Sequence, residues 1–144
     1  MLFSGDTAVT GDVSGRVTFW NAGLRERLAP PRIAHASSVT ALVPYPPGGM
    51  FASVSADEIS LWEWHGYRRL GSDIELTSDL VPIVAFNRTS LLISYPDGRL
   101  VEITVDPDAA AGAICARNGA LSPAQWRIHI PELPYMDTCA VRGG

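Results

Sequence analysis

Two cysteines and two histidines are the side chains of this chain best suited to chemistry near neutral pH. They are Cys115, Cys139, His35 and His129. A cysteine close to a histidine can serve as a nucleophile, and a pair of cysteines can form a disulfide or help to hold a metal ion. A single histidine can act as a pH switch. Which of these roles the four residues can perform depends on the strands, helices and loops that position them.

The residues around the two cysteines favour a packing role. The chain has no Cys-x-x-Cys or His-x-x-x-His spacing that would collect a metal ion. Its first residues lack the basic and apolar segments of a secretory signal, so we expect a cytoplasmic location, where a standing disulfide is disfavoured. No third group that would orient His129 toward Cys139 can be identified. We therefore expect Cys115 and Cys139 to be thiols packed under the tail with Trp126 and Tyr135. The alternative is a redox or hydrolytic activity of the cysteines and His129.

Composition narrows the classes of function. The 144 residues carry a net charge of -4, and 47% of them are hydrophobic and 18% charged. These values favour a soluble globular domain over disorder, and the longest apolar stretches are too short to span a bilayer. Because no cluster of Lys or Arg is present, nucleic acid and anionic membranes are not expected partners. No phosphate-binding loop, nucleophile elbow or EF-hand spacing occurs, so we predict no cofactor, no metal and no enzymatic activity.

The chain repeats itself with a period of about forty residues. The segments that align are residues 10–21, 53–63 and 94–104. Trp20, Trp62 and Ile103 fall at equivalent places, 42 and then 41 positions apart. A period of this length indicates stacked supersecondary units, and a unit of four short strands that closes on an aromatic residue is typical of a propeller blade.

Apolar and polar residues alternate up to about residue 105, which predicts β-strands. We predict about ten strands that form hairpins, with turns at residues 56–57, 87–89 and 96–98. The regions 26–28 and 67–70 lie between repeats and are predicted to be the outer strands of blades. These strands would form an antiparallel meander.

Beyond residue 105 the pattern becomes helical. The Asp-Pro pair at 106–107 predicts the start of a helix, and the Asn-Gly pair at 118–119 predicts its left-handed end. Ser122 and Gln125 form a capping box that predicts a second, shorter helix. The rest of the tail is expected to be irregular and held by Tyr135.

The strand region resembles the WD-repeat β-propeller family. In that family a blade opens near Gly-His and closes on Trp-Asp, and a hydrogen-bond network joins the His, a Ser or Thr, a turn Asp and the Trp indole. In the middle repeat, Ala34-His35 stands for Gly-His and Trp62-Glu63 for Trp-Asp, with Ser53 and Asp57 in the polar places. The resemblance implies a structural network of His35, Ser53, Asp57 and Trp62, whose polar groups would need partners when buried. A titrating switch at His35 is the alternative.

The other two repeats match the family less completely. The first keeps Thr10 and Trp20 but lacks the opening half of a blade. The third keeps Ser94 and Asp97 but has neither the His nor the Trp, and Ile103 takes the closing position. The match therefore covers residues 1–105 with one good blade, one half blade and one degenerate blade.

The tail resembles a C-terminal extension of actinobacterial WD-repeat proteins. There the last blade is followed by a Cys, a Leu-Thr-x-x-Glu-Trp segment, an aromatic-Leu-Pro segment and Pro-Tyr-x-x-x-Cys. The matching tail-motif residues are Cys115, Trp126, Tyr135 and Cys139, while Gln125 replaces the Glu and His129 the aromatic residue. Proteins of this kind often carry an effector part, such as a STAND-type NTPase, ahead of the propeller.

The predicted fold class is all-β, a partial β-propeller of about two and a half four-stranded antiparallel blades with a short two-helix C-terminal extension. Residues 1–105 would form the blades, and residues 106–144 the helical extension packed on the blades. Closed propellers have at least about four blades. We therefore expect the chain to be the C-terminal portion of a longer propeller, and we expect its open blade edges to promote self-association.

The predicted function is a non-enzymatic protein-interaction or sensing scaffold with a protein partner. Trp64 and Tyr67, on either side of Gly66, are either a partner-binding aromatic pair on an exposed connection or a cover for the blade face. A fragment that has no function on its own is a further alternative. Inert, buried cysteines would favour the scaffold, whereas fast-reacting ones would favour the redox or hydrolytic alternative.

Overall fold

Three antiparallel sheets follow one another along the chain in the computed structural model, which describes residues 1–77 and 82–140. The strands are β1 (Leu2–Ser4), β2 (Thr7–Gly11), β3 (Arg16–Asn21) and β4 (Arg32–Ile33) in the first sheet, β5 (Ala41–Pro44), β6 (Met50–Val54), β7 (Glu58–Glu63) and β8 (Arg68–Glu75) in the second, and β9 (Ile83–Phe86), β10 (Ser90–Ser94) and β11 (Leu100–Thr104) in the third. Consecutive strands are neighbours in every sheet. The part of the chain that the structure describes therefore confirms the predicted all-β partial propeller.

Strand pairing in the second sheet places large and small side chains on one common face. Phe51 lies opposite Trp62, and Ser53 lies opposite Ser60. Because successive side chains of a strand point to opposite faces, these four residues share a face. Ser55 closes the turn between β6 and β7, since its hydroxyl oxygen accepts the amide N–H of Glu58 at 3.1 Å.

The apolar core of the strand region lies between the first two sheets. Val9, Val17 and Phe19 of the first sheet are fully buried and cluster with Phe51 and Trp62 of the second. The ring centroid of Phe19 lies 5.9 Å from that of Phe51 and 6.1 Å from that of Trp62, in edge-on arrangements. Full burial of a side chain of this kind contributes about 1.5–3 kcal/mol, so this cluster holds the two sheets together.

The second and third sheets meet at Tyr45. Its hydroxyl donates to the carbonyl oxygen of Arg88 at 2.7 Å, and its ring lies edge-on to Phe86 with 5.3 Å between centroids. In the third sheet Leu91 and Ile93 are buried, whereas Leu92 is half-buried and Ser94 is exposed. One face of this sheet is therefore covered and the other is open.

The outer strand of the first sheet matches the prediction in part. Residues 26–28 lie beside β3, joined to it by the Arg27–Trp20 bridge and by two backbone hydrogen bonds, but the fourth strand of the sheet is the separate segment β4. Pro30 and Pro31 precede β4 and carry no backbone N–H, so the chain cannot pair continuously from residue 26 onward. In the second sheet the predicted outer strand at residues 67–70 corresponds to the first half of β8, which continues to Glu75.

By its internal contacts the chain divides into two compact units, Met1–Ile103 and Thr104–Gly144. Helix α1 (Pro107–Asn118) begins where the Asp106 carboxylate accepts the amide N–H of Ala109 at 2.8 Å. It ends at Gly119, which has a φ of 70° and donates its N–H to the carbonyl of Cys115 at 2.9 Å. Both ends lie where the sequence predicts them, because capping depends on residues close together in the chain.

The second helix of this unit, α2 (Pro123–His129), begins with the predicted capping box. The Ser122 hydroxyl accepts the amide N–H of Gln125, and the Gln125 side chain accepts the amide N–H of Ser122. Between α2 and residue 140 the tail is irregular, as predicted. Residues 141–144 of the predicted tail lie outside the described residues.

Candidate functional site

The hydroxyl of Ser53 joins two larger side chains in the second sheet. It lies 2.8 Å from the indole nitrogen of Trp62 and 2.7 Å from Nε2 of His35. Nδ1 of His35 lies 3.2 Å from a carboxylate oxygen of Glu58. A consistent assignment has the indole donating to Ser53, the Ser53 hydroxyl donating to Nε2, and Nδ1–H donating to Glu58. Every buried polar group of this network thus has a partner.

Burial controls the charge of His35. Its side chain is fully buried, and burial penalises the imidazolium ion, which lowers the pKa of His35 below its usual 6.5. The carboxylate of Glu58 acts in the opposite direction and does not cancel the effect of burial. The neutral ring that results matches the hydrogen-bond assignment, so His35 serves as a bridge between Ser53 and Glu58.

The carboxylate of the network is Glu58, whereas the sequence analysis assigned this place to Asp57. Asp57 instead accepts the Ser37 hydroxyl at 3.1 Å in an exposed position. Glu58 is the first residue of β7 and lies two and four residues before Ser60 and Trp62, so its side chain is on their face of the sheet. Asp57 belongs to the preceding turn and does not take part in this alternation.

The first sheet repeats the central bond of this network. The indole nitrogen of Trp20 donates to the hydroxyl of Thr10 at 2.9 Å, as the indole of Trp62 does to Ser53. Trp20 and Trp62 also occupy the same position in β3 and β7, the fifth of six residues. These two closing residues are therefore in equivalent environments, although Trp20 is half-buried and Trp62 is buried.

Two arginines complete the repeated arrangement, and the sequence analysis missed them. The guanidinium of Arg27 lies 5.2 Å from the ring centroid of Trp20, and that of Arg69 lies 5.5 Å from the centroid of Trp62. Arg69 also donates to Asp73 at 2.6 Å and to the carbonyl of Ala34 at 2.7 Å. Each arginine follows its tryptophan at the same spacing, so the repeat extends further than the aligned segments. That spacing is the signal that would have identified both residues.

The third sheet lacks the polar pair, and its alignment shifts by one residue. Ile103 does lie on the third strand of its sheet, but Ser94 is exposed and the neighbouring Ile93 is buried. The bonded residues are ten positions apart in the first sheet and nine in the second. The difference comes from turn length, because the second sheet closes its turn from Ser55 to Glu58, one residue shorter than the turns 12–16 and 95–99. Ile93 is therefore the structural counterpart of Ser53.

Trp64 and Tyr67 lie in the core instead of forming an exposed aromatic pair. Trp64 is 5% exposed and its ring lies 4.7 Å from that of Phe51. Tyr67 is half-buried, and its ring lies 5.1 Å from that of Phe19. Its φ of 50° is unusual for a residue other than glycine. Of the two interpretations of this pair, the structure supports the cover for the blade face.

The cysteines also differ from the prediction, because Cys115 and Cys139 form a disulfide. Their Cα atoms are 5.6 Å apart, within the usual range for a disulfide. The prediction of free thiols rested on the missing secretory signal and did not consider which residues the fold brings together. Disulfides are typical of oxidising compartments, so the cytoplasmic location remains an expectation only.

The two aromatic residues of the tail motif contact each other. Trp126 is buried and donates its indole N–H to the carbonyl of Leu133 at 2.9 Å. The ring of Tyr135 lies edge-on to it at 6.0 Å, and the Tyr135 hydroxyl donates to the carbonyl of Leu121 at 3.2 Å. Tyr135 thus holds the tail against the segment that precedes α2. His129 is exposed at the end of α2.

A surface cavity of about 640 Å³ adjoins the disulfide. Its lining includes both cysteines, Asp108 and Thr138. Within residues 1–77 and 82–140, no group of three or more His, Cys, Asp or Glu side chains is arranged to hold a metal ion. Neither helix in the described part of the chain is long and apolar enough to cross a membrane.

Comparison with known proteins identifies the fold. No family model and no curated protein matches the chain. The computationally designed Ika4 protein superposes with a TM-score of 0.57 at 20% identity, covering 72% of this chain and 63% of that one. U3-55K gives 0.56 at 20% identity, over 69% of this chain and 33% of its own. The Cps50 (Swd1) β-propeller domain of Myceliophteria thermophila gives 0.56 at 15% identity, over 69% and 32%.

These matches concern the fold alone, since the identities are low. The chain spans 63% of the length of the designed protein and about a third of the length of each of the other two. Together with three consecutive antiparallel sheets and the repeated indole-to-hydroxyl bond, they show that the chain has a propeller-like fold, similar to that of β-propeller domains.

Proposed function

We propose that the chain is a non-enzymatic protein-interaction module built from WD-type propeller blades. The observation that carries the proposal is the repeated bond from Trp20 to Thr10 and from Trp62 to Ser53, made at equivalent places in two successive sheets. Such bonds fix each blade internally, and rigid stacked blades leave their turns and edges available to a partner. The likeness to β-propeller domains supports the same interpretation.

Both cysteines of the enzymatic alternative and the buried His35 are engaged in the structure, whereas His129 of that alternative is exposed. Both ring nitrogens of His35 have partners, and the ring is buried. Cys115 and Cys139 form a disulfide, and a disulfide sulfur offers no thiolate to act as a nucleophile. These observations favour a structural role for His35, Cys115 and Cys139.

We place the partner-binding surface at the end of the strand region that carries the turns 12–15 and 55–58. Both turns contact the connection from the first sheet to the second, since Val39 donates its N–H to the carbonyl of Asp12 at 3.0 Å and Ser37 donates to Asp57. The tip of the first turn is Val13, which is 85% exposed. An exposed apolar residue on a rigid turn suits contact with another protein.

Photo-crosslinking tests this proposal. A photoreactive residue at Val13 should give covalent adducts with a protein from the native host's extract, and excess unlabelled chain should suppress them. Leu24, exposed in the loop after β3, is the matched control position, and no suppressible adduct is expected there. The proposal is contradicted if neither position gives a suppressible adduct, or if both give the same ones.

Thiol labelling separates the enzymatic alternative. Before reduction, the native chain should take up no thiol reagent, because both sulfurs are in the disulfide. Rapid labelling of Cys115 or Cys139 without reductant would favour a reactive thiol and weigh against the scaffold.

A further inference from the structure

We infer that the Cys115–Cys139 disulfide is a redox-controlled clasp of the C-terminal unit, which holds α1 and the end of the tail in one structure only while it is oxidised. The inference is independent of the proposed function, because it concerns only residues 104–140.

Helix α1 has little else to keep it folded. None of its 12 residues is buried, and Gly112 interrupts its centre. Isolated helices of this length are marginal in water, and an interior glycine weakens them further. The caps at Asp106 and Gly119 satisfy its ends but do not attach it to another element.

The neighbouring part of the unit, by contrast, has its own contacts. Trp126 is 3% exposed, and its indole bonds to the carbonyl of Leu133. Tyr135 adds a ring contact to Trp126 and a hydrogen bond to Leu121. Residues 121–135 are therefore held together without any contribution from the cysteines.

The disulfide links these two parts. Cys115 lies in the last turn of α1, and Cys139 lies 24 positions later in the tail. Besides this bond, the end of the tail is held by the amide of Leu121, which donates to the Thr138 hydroxyl at 3.3 Å in an exposed position. Closing a loop of this length disfavours the open state by a factor on the order of a hundred.

The disulfide is also accessible to small reductants. Both cysteines are only half-buried, and both line the cavity of about 640 Å³. A dithiol would attack one sulfur through its thiolate, forming a mixed disulfide and releasing the other cysteine as a thiolate that takes up a proton. The second thiol of the reductant then displaces the first cysteine. The products are two protein thiols and the oxidised, cyclic dithiol.

Hydrogen–deuterium exchange of the full chain, before and after treatment with millimolar dithiothreitol, tests the inference. We expect the amides of α1 to exchange on the order of a hundredfold faster after reduction, while those of β6 and β7 keep their protection. The double variant Cys115→Ser/Cys139→Ser should behave like the reduced chain and should not respond to dithiothreitol.

Four results would overturn the inference. One is unchanged protection of α1 after confirmed reduction, and another is loss of protection throughout the strand region. The third is alkylation of both cysteines in the untreated chain, and the fourth is a disulfide that millimolar dithiol leaves intact in the folded protein. Mass spectrometry of the alkylated chain distinguishes the last two.

Discussion

At the level of single residues, the network of the second sheet depends on the Ser53 hydroxyl, which is small and can both donate and accept a hydrogen bond. This group accepts one hydrogen bond and donates another, so it satisfies Trp62 and His35 within a fully buried space. The third sheet places Ile93 and Ile103 at the equivalent positions. Replacing both partners of a buried hydrogen bond by apolar groups can be nearly neutral, whereas removing one partner is costly. In the three described sheets, the pair is either hydrogen-bonded, as in the first and second, or apolar at both positions, as in the third.

Because the hydroxyl of Ser53 is fully buried and that of Thr10 is not, removing each hydroxyl should have unequal effects on stability. Ser53→Ala should lower the free energy of unfolding by about 2–3 kcal/mol, because it leaves the buried groups of Trp62 and His35 without a partner. Thr10→Val, the matched change in the first sheet, should cost about 1 kcal/mol or less, since Trp20 is only half-buried. Urea unfolding followed by tryptophan fluorescence measures both. Equal costs would mean that the network does not depend on burial.

The lowered pKa of His35 predicts that stability falls on acidification. In the unfolded chain the ring binds a proton below about pH 6.5, while the folded chain resists protonation because the ring is buried. The free energy of unfolding should therefore decrease below pH 6.5, by up to about 1.4 kcal/mol per pH unit. Above that pH both states hold a neutral ring, and this contribution no longer changes.

Two glutamine variants isolate the contribution of this residue. His35→Gln should be less stable at neutral pH. Between pH 6.5 and 5, its free energy of unfolding should depend less steeply on pH than that of the parent, by the amount that corresponds to about one proton. His65→Gln, at an exposed position, is the control and should keep the slope of the parent. A slope that His35→Gln leaves unchanged would show that other groups cause the pH dependence.

At the level of elements, the turn between the second and third strands of the first sheet helps to position His35 of the hydrogen-bond network. Gly15 has a φ of 74°, and its carbonyl accepts the amide N–H groups of Ala34 and His35 at 2.9 and 3.0 Å. The turn after β2 therefore fixes the backbone from which the His35 ring reaches Ser53. Gly98 occupies the corresponding place in the turn after β10, with a φ of 87° and open space around it.

These two glycines predict a pair of matched substitutions. Gly98→Ala should cost about 1–2 kcal/mol, which is the penalty for a side chain in the left-handed region. Gly15→Ala should cost more than about 3 kcal/mol, because its Cβ would also overlap the carbonyl oxygen of His35 and lie 2.6 Å from that of Ser37. Thermal or urea unfolding compares them. Equal costs would indicate that the turn yields and that the contact with residues 35–37 is unimportant.

The sequence predicted best what depends on neighbouring residues. Both helices, their caps and most hairpins are where the pattern placed them, because capping groups and turn residues act within four positions. Errors arose where a choice between adjacent residues depends on the third dimension. Glu58 replaces Asp57 because strand alternation decides which carboxylate faces His35, and Ile93 replaces Ser94 because turn lengths differ by one residue.

Long-range contacts were the least predictable part of the site. No local pattern brings Cys115 to Cys139, and the prediction for these residues rested on the expected compartment. The burial of Trp64, in the turn after β7, depends on Phe51 of β6. The Arg69–Trp62 contact, by contrast, could have been predicted from the sequence, because Arg69 follows Trp62 at the same spacing as Arg27 follows Trp20.

At the level of the whole molecule, two sheet faces of the strand region remain open. Phe3, on the face of the first sheet that carries Trp20, is 55% exposed. Ile83 and Leu100, on the open face of the third sheet, are 75% and 66% exposed. The contact between the first and second sheets illustrates how such faces are covered, since Phe19 of one sheet packs on Phe51 and Trp62 of the next. Another sheet of the same kind is therefore the natural cover for each open face.

A second copy of the chain can supply that cover, so we expect the isolated protein to self-associate as its concentration rises. Size-exclusion chromatography with light scattering should give a mass above that of the 15.5 kDa monomer. Ile83→Lys/Leu100→Lys should lower the associated mass, because burying the added charges on the face of the third sheet is costly. Ile128→Lys/Leu133→Lys, which changes two similarly exposed residues of the C-terminal unit, should leave the association unchanged. A parent protein that stays monomeric at every concentration would mean that water covers these faces at little cost.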